Sequence, residues 1–142
     1  MPSPIEVLAR SLSVQRLRVN TIASNIANAE TTRTEEGGPY KRKDIVQVAK
    51  DYKPDFGSAL DRMTLSSPSV AAVVEDQSAP RMVYQPGHPD ANKEGYVAYP
   101  NINIVSTMTD MMSASRLYQA NVVAVDTVRG MSRDARSISQ SA

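Results

Sequence analysis

Both ends of this chain carry an apolar repeat that its middle lacks, and this limits the fold more than any other feature. Ile5, Leu8, Leu12, Gln15, Val19, Ile22, Ile26 and Ala29 follow one another at alternating spacings of three and four. Ile104, Thr107, Met111, Ala114, Tyr118, Asn121, Val125, Val128, Ser132 and Ala135 repeat that alternation at the other end. Side chains so spaced line one face of a helix, the seam of a coiled coil. The spacing predicts a mainly α chain with a small β-containing middle. Residues 1–30 and 101–142 would form long paired helices, and residues 31–100 a segment of loops and short strands. Gln15 and Asn121 are polar positions inside the seams, a device that sets register at some cost in stability. Met108, Met112, Ser115 and Val122 widen the second stripe beyond what one partner helix covers, so that helix asks for further neighbours.

Composition supports an extended molecule over a thick-cored one. Of 142 residues 41% are hydrophobic, but only 5% are aromatic, with one Phe and no Trp. Large aromatic side chains usually dominate core burial, and here Val, Ile, Leu, Ala and Met must supply it. Sixteen basic and fifteen acidic residues leave a formal charge of +1, which gives no global electrostatic case for nucleic acid or an anionic membrane. With no cysteine there is no disulfide framework, thiolate chemistry or Cys-ligated metal. Met1 to Arg10 contains Pro2, Pro4 and Glu6 and lacks a basic stretch before an apolar core, so it does not read as a cleavable secretory signal. Val70 to Val74, the longest apolar run of the middle, is far too short to cross a bilayer.

Punctuation places the elements. The first helix is expected to start near Ser3, with Pro4 at its first position, where a missing N–H costs nothing. Gly37-Gly38-Pro39 ends any continuation. Ile45 to Val48, Val70 to Glu75, Arg81 to Tyr84 and Tyr96 to Tyr99 read as strands, with a polar turn at Asp76 to Pro80 joining the second to the third. Asp51 to Ser69 reads as a loop with a helical turn around Ala59 to Met63. Asn101 or Asn103 would cap the second helix, and Arg129, Arg133 and Arg136 in its last turns would suit the helix dipole.

Motifs for chemistry are thin. Asp90, Asn92, Glu94 and Gly95 match the opening of an EF-hand loop, but its twelfth position is Asn101 and prolines stand where the flanking helices should be. A hydrogen-bonded turn explains them better. His88 is the single histidine, flanked by Gly87 and Pro89, with no Ser, Cys or paired carboxylate spaced to act with it. Lys41, Arg42 and Lys43 beside Tyr40 form a small basic patch suited to solvent or a protein contact. Neither catalytic residues, a cofactor nor a metal is expected. The rival classes are a hydrolase built on His88, a coiled-coil adaptor or secretion chaperone, and a helical DNA binder. The near-zero charge makes the last least attractive.

Two stretches bring a family into view. Asn25-Ile26-Ala27-Asn28-Ala29 followed by Thr31-Thr32 resembles the N-terminal signature of bacterial flagellar rod and hook proteins, the axial family. Ser113-Ala114-Ser115-Arg116-Leu117-Tyr118-Gln119-Ala120-Asn121-Val122 is similar to its C-terminal signature. Glu36 to Tyr40, Val83 to Pro89, and Gly95 to Val97 with Pro100-Asn101 resemble the family's proximal-rod members. Two departures stand out, Thr107 where an acidic residue is usual and Ser69 where glycine is usual. The resemblance implies a non-enzymatic structural subunit of the basal-body rod, the periplasm-spanning drive shaft that carries torque. It further implies polymerisation through the terminal helices into an inner tube, with the middle segment 31–100 facing outward, and export through the flagellar type III apparatus without a cleaved signal. Expected partners are copies of itself, other rod proteins, the MS-ring and adaptor components at the base, and the export apparatus, with no nucleic acid and no membrane insertion. Leu12, Val19, Ile22, Asn25, Ile26, Asn28, Met111, Ala114, Tyr118, Asn121, Val125 and Val128 would then form the assembly interface. Isolated helices of this size are marginal in water, so both ends are expected to order fully only on assembly.

Overall fold

The computed structural model describes residues 3–51 and 66–141. Helix α1 (Pro4–Ala27) opens on a reciprocal cap. The Ser3 hydroxyl accepts the Glu6 N–H at 3.2 Å, and the Glu6 carboxylate accepts the Ser3 N–H at 3.1 Å. Asn28 closes it, its side-chain amide donating to the Ser24 carbonyl at 2.9 Å. Helix α2 (Ile104–Ser141) starts at Asn103, whose Oδ1 accepts the Ser106 N–H at 3.1 Å. The other expected cap, Asn101, instead donates to the Ser78 hydroxyl. Because α2 continues to Ser141, Arg129, Arg133 and Arg136 lie inside the helix and its last turn carries no basic residue.

The helices pair antiparallel. Asn121 Nδ2 donates to Ser11 Oγ at 2.9 Å, while Ile22 and Asn25 share a crevice with Thr107 and Asp110. Ile22, Ala29, Ala114 and Val125 are buried, and the two seams meet as their spacing requires. Buried Val14, outside the seam, points to a second packing face.

That face receives a β ladder. Strands β1 (Lys43–Asp51) and β2 (Ser66–Glu75) pair antiparallel, from Lys43 opposite Glu75 to Asp51 opposite Ser66. The register shifts between Val46 and Gln47, leaving Ala71 as an extra residue on β2. Both strands outrun the runs expected from sequence, and Ser66 to Ser69, expected in a loop, lie in β2. Pro68 is tolerated because each strand of a two-stranded ladder has an open edge for the residue that lacks an N–H. The helical turn expected around Ala59 to Met63 lies outside the described residues.

Strands β3 (Arg81–Tyr84) and β4 (Tyr96–Tyr99) form a separate hairpin. The turn at Asp76 to Pro80 joins β2 to β3 as expected, and it links two separate sheets. Each strand finds its partner by side-chain fit. Val83 faces fully buried Val97, and the Tyr84 and Tyr96 rings meet edge-on at 5.3 Å. Gly95 holds φ at +83° as the chain enters β4. A side chain there would put its Cβ 2.8 Å from the Tyr84 ring.

Candidate assembly interface

The N-terminal signature is a hub of hydrogen bonds joining α1 to the middle. Asn25 is 2% exposed, and its amide meets both polar groups of the Lys43 backbone. Nδ2 donates to the Lys43 carbonyl at 2.8 Å, and Oδ1 accepts the Lys43 N–H at 2.9 Å. The Tyr40 hydroxyl donates to the same Oδ1 at 3.1 Å. Asn25 thus extends the sheet's hydrogen bonding onto a helix and fixes where β1 begins. Asn28 caps α1 and accepts a bond from the Thr31 hydroxyl at 3.2 Å. The Thr32 hydroxyl donates to Asp90 Oδ2 at 2.8 Å, reaching the turn between β3 and β4. Further up α1, Arg10 donates to the Ser67 hydroxyl at 3.2 Å beside Val14.

Leu12, Val19, Ile26, Met111, Tyr118, Asn121 and Val128 are half-buried along the helix pair, around the buried core of Ile22, Ala114 and Val125. The Gln15 amide oxygen is buried without a donor among the described residues, so both polar seam positions sit in the contact. An orphaned or singly matched amide there penalises any slipped pairing. In the single chain, then, the predicted interface residues build the helix pair and its junction with the middle.

The faces turned away from the seam differ. On α2, Val105, Met108, Met112 and Val123 stand opposite Ala114 and are exposed, Val105 by 75%. On α1 the opposite face carries exposed Ala9, Ser13, Asn20, Ser24 and Ala27. One helix shows a large apolar ridge, the other small residues towards both ends of its face, parted by exposed Arg16 and Leu17. Met108 and Met112 of the ridge were legible in the widened second stripe, whereas Val105, Val123 and the small residues of α1 were missed because only the apolar seam spacing had been read.

For chemistry the chain offers little. Asn92 Oδ1 accepts the Glu94 and Tyr96 N–H groups at 3.0 and 2.9 Å, so the would-be calcium loop is a closed turn. Asp90 is engaged by Thr32, and by Arg33 at 3.8 Å. Among the described residues no cluster of His, Cys, Asp or Glu is placed to hold a metal, and no helix is long and apolar enough to cross a membrane. Asp76 has its carboxyl held below the usual range by the backbone N–H of Ser78, then by the Ser78 hydroxyl and by Arg42. This is the chemistry of a turn.

Residues 5–33 match the family described as flagella basal body rod protein, and residues 93–138 match the C-terminal region of the flagellar basal body rod FlgEFG proteins. The flagellar basal-body rod protein FlgC of Borreliella burgdorferi is 39% identical, covering 97% of this chain and 97% of its own. FlgC of Salmonella typhimurium is 37% identical over 89% of this chain and 88% of its own. FlgC of Bacillus subtilis is 37% identical over 89% of this chain and 90% of its own.

Proposed function

The chain belongs to the FlgC family of flagellar basal-body rod proteins, and from that membership together with its two outward helix faces we propose how it assembles. It is a structural subunit of the flagellar basal body, not an enzyme, and works alongside other rod components. In the proposed assembly the α1–α2 pair is the polymerising unit. The ridge of Val105, Met108, Met112 and Val123 beds onto the small-residue face of a neighbour's α1, where Ala9, Ser13, Ser24 and Ala27 let backbones approach closely. Two different surfaces meeting head to tail do not close on themselves, and so generate a helical tube. The observation that carries this is the exposed ridge, which no element of the chain covers among the described residues.

Leu12, Val19, Ile22, Ile26, Met111, Ala114, Tyr118, Asn121, Val125 and Val128 serve assembly by holding the pair rigid, while Asn25 and Asn28 seat the middle upon it. We place the subunit in the periplasmic proximal rod, in contact with the MS-ring and adaptor at the base, and reaching it through the type III export apparatus without processing. The family membership supports this placing, and a middle docked outside a helix pair suits a tube wall.

Electron microscopy of basal bodies from a deletion strain tests the reading. Complementation with the unaltered chain should restore rods and swimming. Complementation with Met108→Glu/Met112→Glu should give stable, exported protein without a completed rod. Complete rods from that variant would remove the ridge from the mechanism. A soluble dimer that never enters basal bodies would favour an adaptor instead.

A further inference from the structure

His88 is used neither by the helix pair nor by the outward ridge, yet its contacts are specific. The Asp90 backbone N–H donates to His88 Nδ1 at 3.1 Å. A ring nitrogen that accepts must carry a lone pair, so the imidazole proton belongs on Nε2. Asp90 Oδ2 meanwhile accepts the Thr32 hydroxyl at 2.8 Å and lies 4.0 Å from the same Nδ1. Arg33 approaches Oδ1 at 3.8 Å. From β4, the Tyr99 ring meets the imidazole edge-on at 6.4 Å, with the Arg81 guanidinium of β3 5.8 Å from the centre of that ring. The Tyr99 hydroxyl is held by Gln85 at 2.8 Å, while Lys93 and Glu94 are exposed further along the same turn.

We propose that His88, Asp90, Thr32 and Arg33 form a proton-operated joint between the end of α1 and the β3–β4 hairpin. When a proton adds to Nδ1, that nitrogen becomes a donor and faces the Asp90 N–H, which loses its acceptor. The imidazolium now competes with Thr32 for Oδ2. Asp90 is drawn from a partner 58 residues away towards one two residues away. The hairpin then trades its tie to α1 for a tie within its own turn. Since β4 leads into α2 and Thr32 follows α1, the joint closes the ring formed by the two helices and the segment between them. Proton uptake loosens that closure without touching the seam.

The test uses the full-length chain labelled with 15N. Imidazole 15N shifts of the uncharged ring should show the Nε2–H tautomer. The amide resonances of Thr32 and Asp90 should move with the same midpoint as His88. Exchange protection of the Asp90 amide, corrected for intrinsic pH dependence, should fall about fivefold across that titration, as expected for the loss of one ordinary hydrogen bond. In His88→Asn, whose side-chain oxygen can accept but does not titrate, both movements should vanish. An Nδ1–H tautomer of the uncharged ring would overturn the proposal. So would Thr32 and Asp90 resonances that stay flat through the His88 titration, or that move equally in His88→Asn.

Discussion

Asn25 binds a strand to a helix with a single side chain, and the two hydrogen bonds it makes to Lys43 are those a neighbouring strand would make. Asn25→Ala leaves the Lys43 N–H and carbonyl without partners, a loss of about 2 kcal/mol. Asn25→Asp should cost more, because a carboxylate keeps the acceptor but turns an oxygen on the Lys43 carbonyl. Urea denaturation of both variants checks the order, and equal stability would show that the bonds are replaced by water. Asp76 is the complementary case at the surface. Its depressed folded value means that its contribution is present above the unfolded carboxylate range and is lost as pH falls through the folded value. The backbone N–H of Ser78 is the first cause, so Ser78→Ala should leave most of the depression in place. A carboxyl titration by NMR decides this, and return of Asp76 to the ordinary range in Ser78→Ala would assign the effect to the hydroxyl.

The helices were legible because an alternation of three and four has one structural meaning, and both seams meet where it placed them. Val14 escaped that reading because a seam counts only one partner. The signal for a second face lay in Arg10, Val14 and Arg18, spaced four apart, but nothing in the sequence says that a β ladder would cover it. Strand existence was readable for β1 to β4, whereas strand partners were not. Pairing β1 with β2 rather than β2 with β3 is decided by packing against α1 through Ser67, Val14 and Asn25, a tertiary choice. The signature residues were recognised as important, but their internal role was hidden, because a polar side chain looks the same in sequence whether it meets a neighbour or its own backbone. At this scale Ile22→Ala should destabilise the chain by roughly 2–5 kcal/mol, as for other large-to-small core changes. Ile22→Asp or Val125→Asp, which bury a charge, should abolish rods and swimming while the protein is still made and exported. Motility assays and basal-body micrographs check this, and normal swimming from both charged variants would exclude the seam from assembly.

Whole-molecule order follows from which helix has partners in its own chain. The first helix is held by α2 on one face and by β1 and β2 on another, so its second half gains support that an isolated helix lacks. The second helix has 38 residues against 24 in α1. At about 1.5 Å per residue it outreaches its partner by roughly 20 Å. Beyond Val128 its described side chains are largely exposed, Met131 among them, and a helix with little packed face is marginal in water. The expectation that both ends order fully only on assembly is therefore best tested helix by helix. In the free subunit, exchange of backbone amides should be slow across Leu12 to Ile26 and across Thr107 to Val125, and fast from Arg129 onward. Proteases should cut after Arg129, Arg133 and Arg136 first. On assembly the same stretch should become protected, because a neighbouring subunit would bury apolar side chains such as Met131 that are exposed here. Hydrogen exchange read by mass spectrometry on the purified chain and on isolated basal bodies makes the comparison directly. Rapid exchange across Leu12 to Ile26 in the free chain would show that the β ladder does not support α1 before assembly, and slow exchange beyond Arg129 would show that α2 needs no neighbour at all.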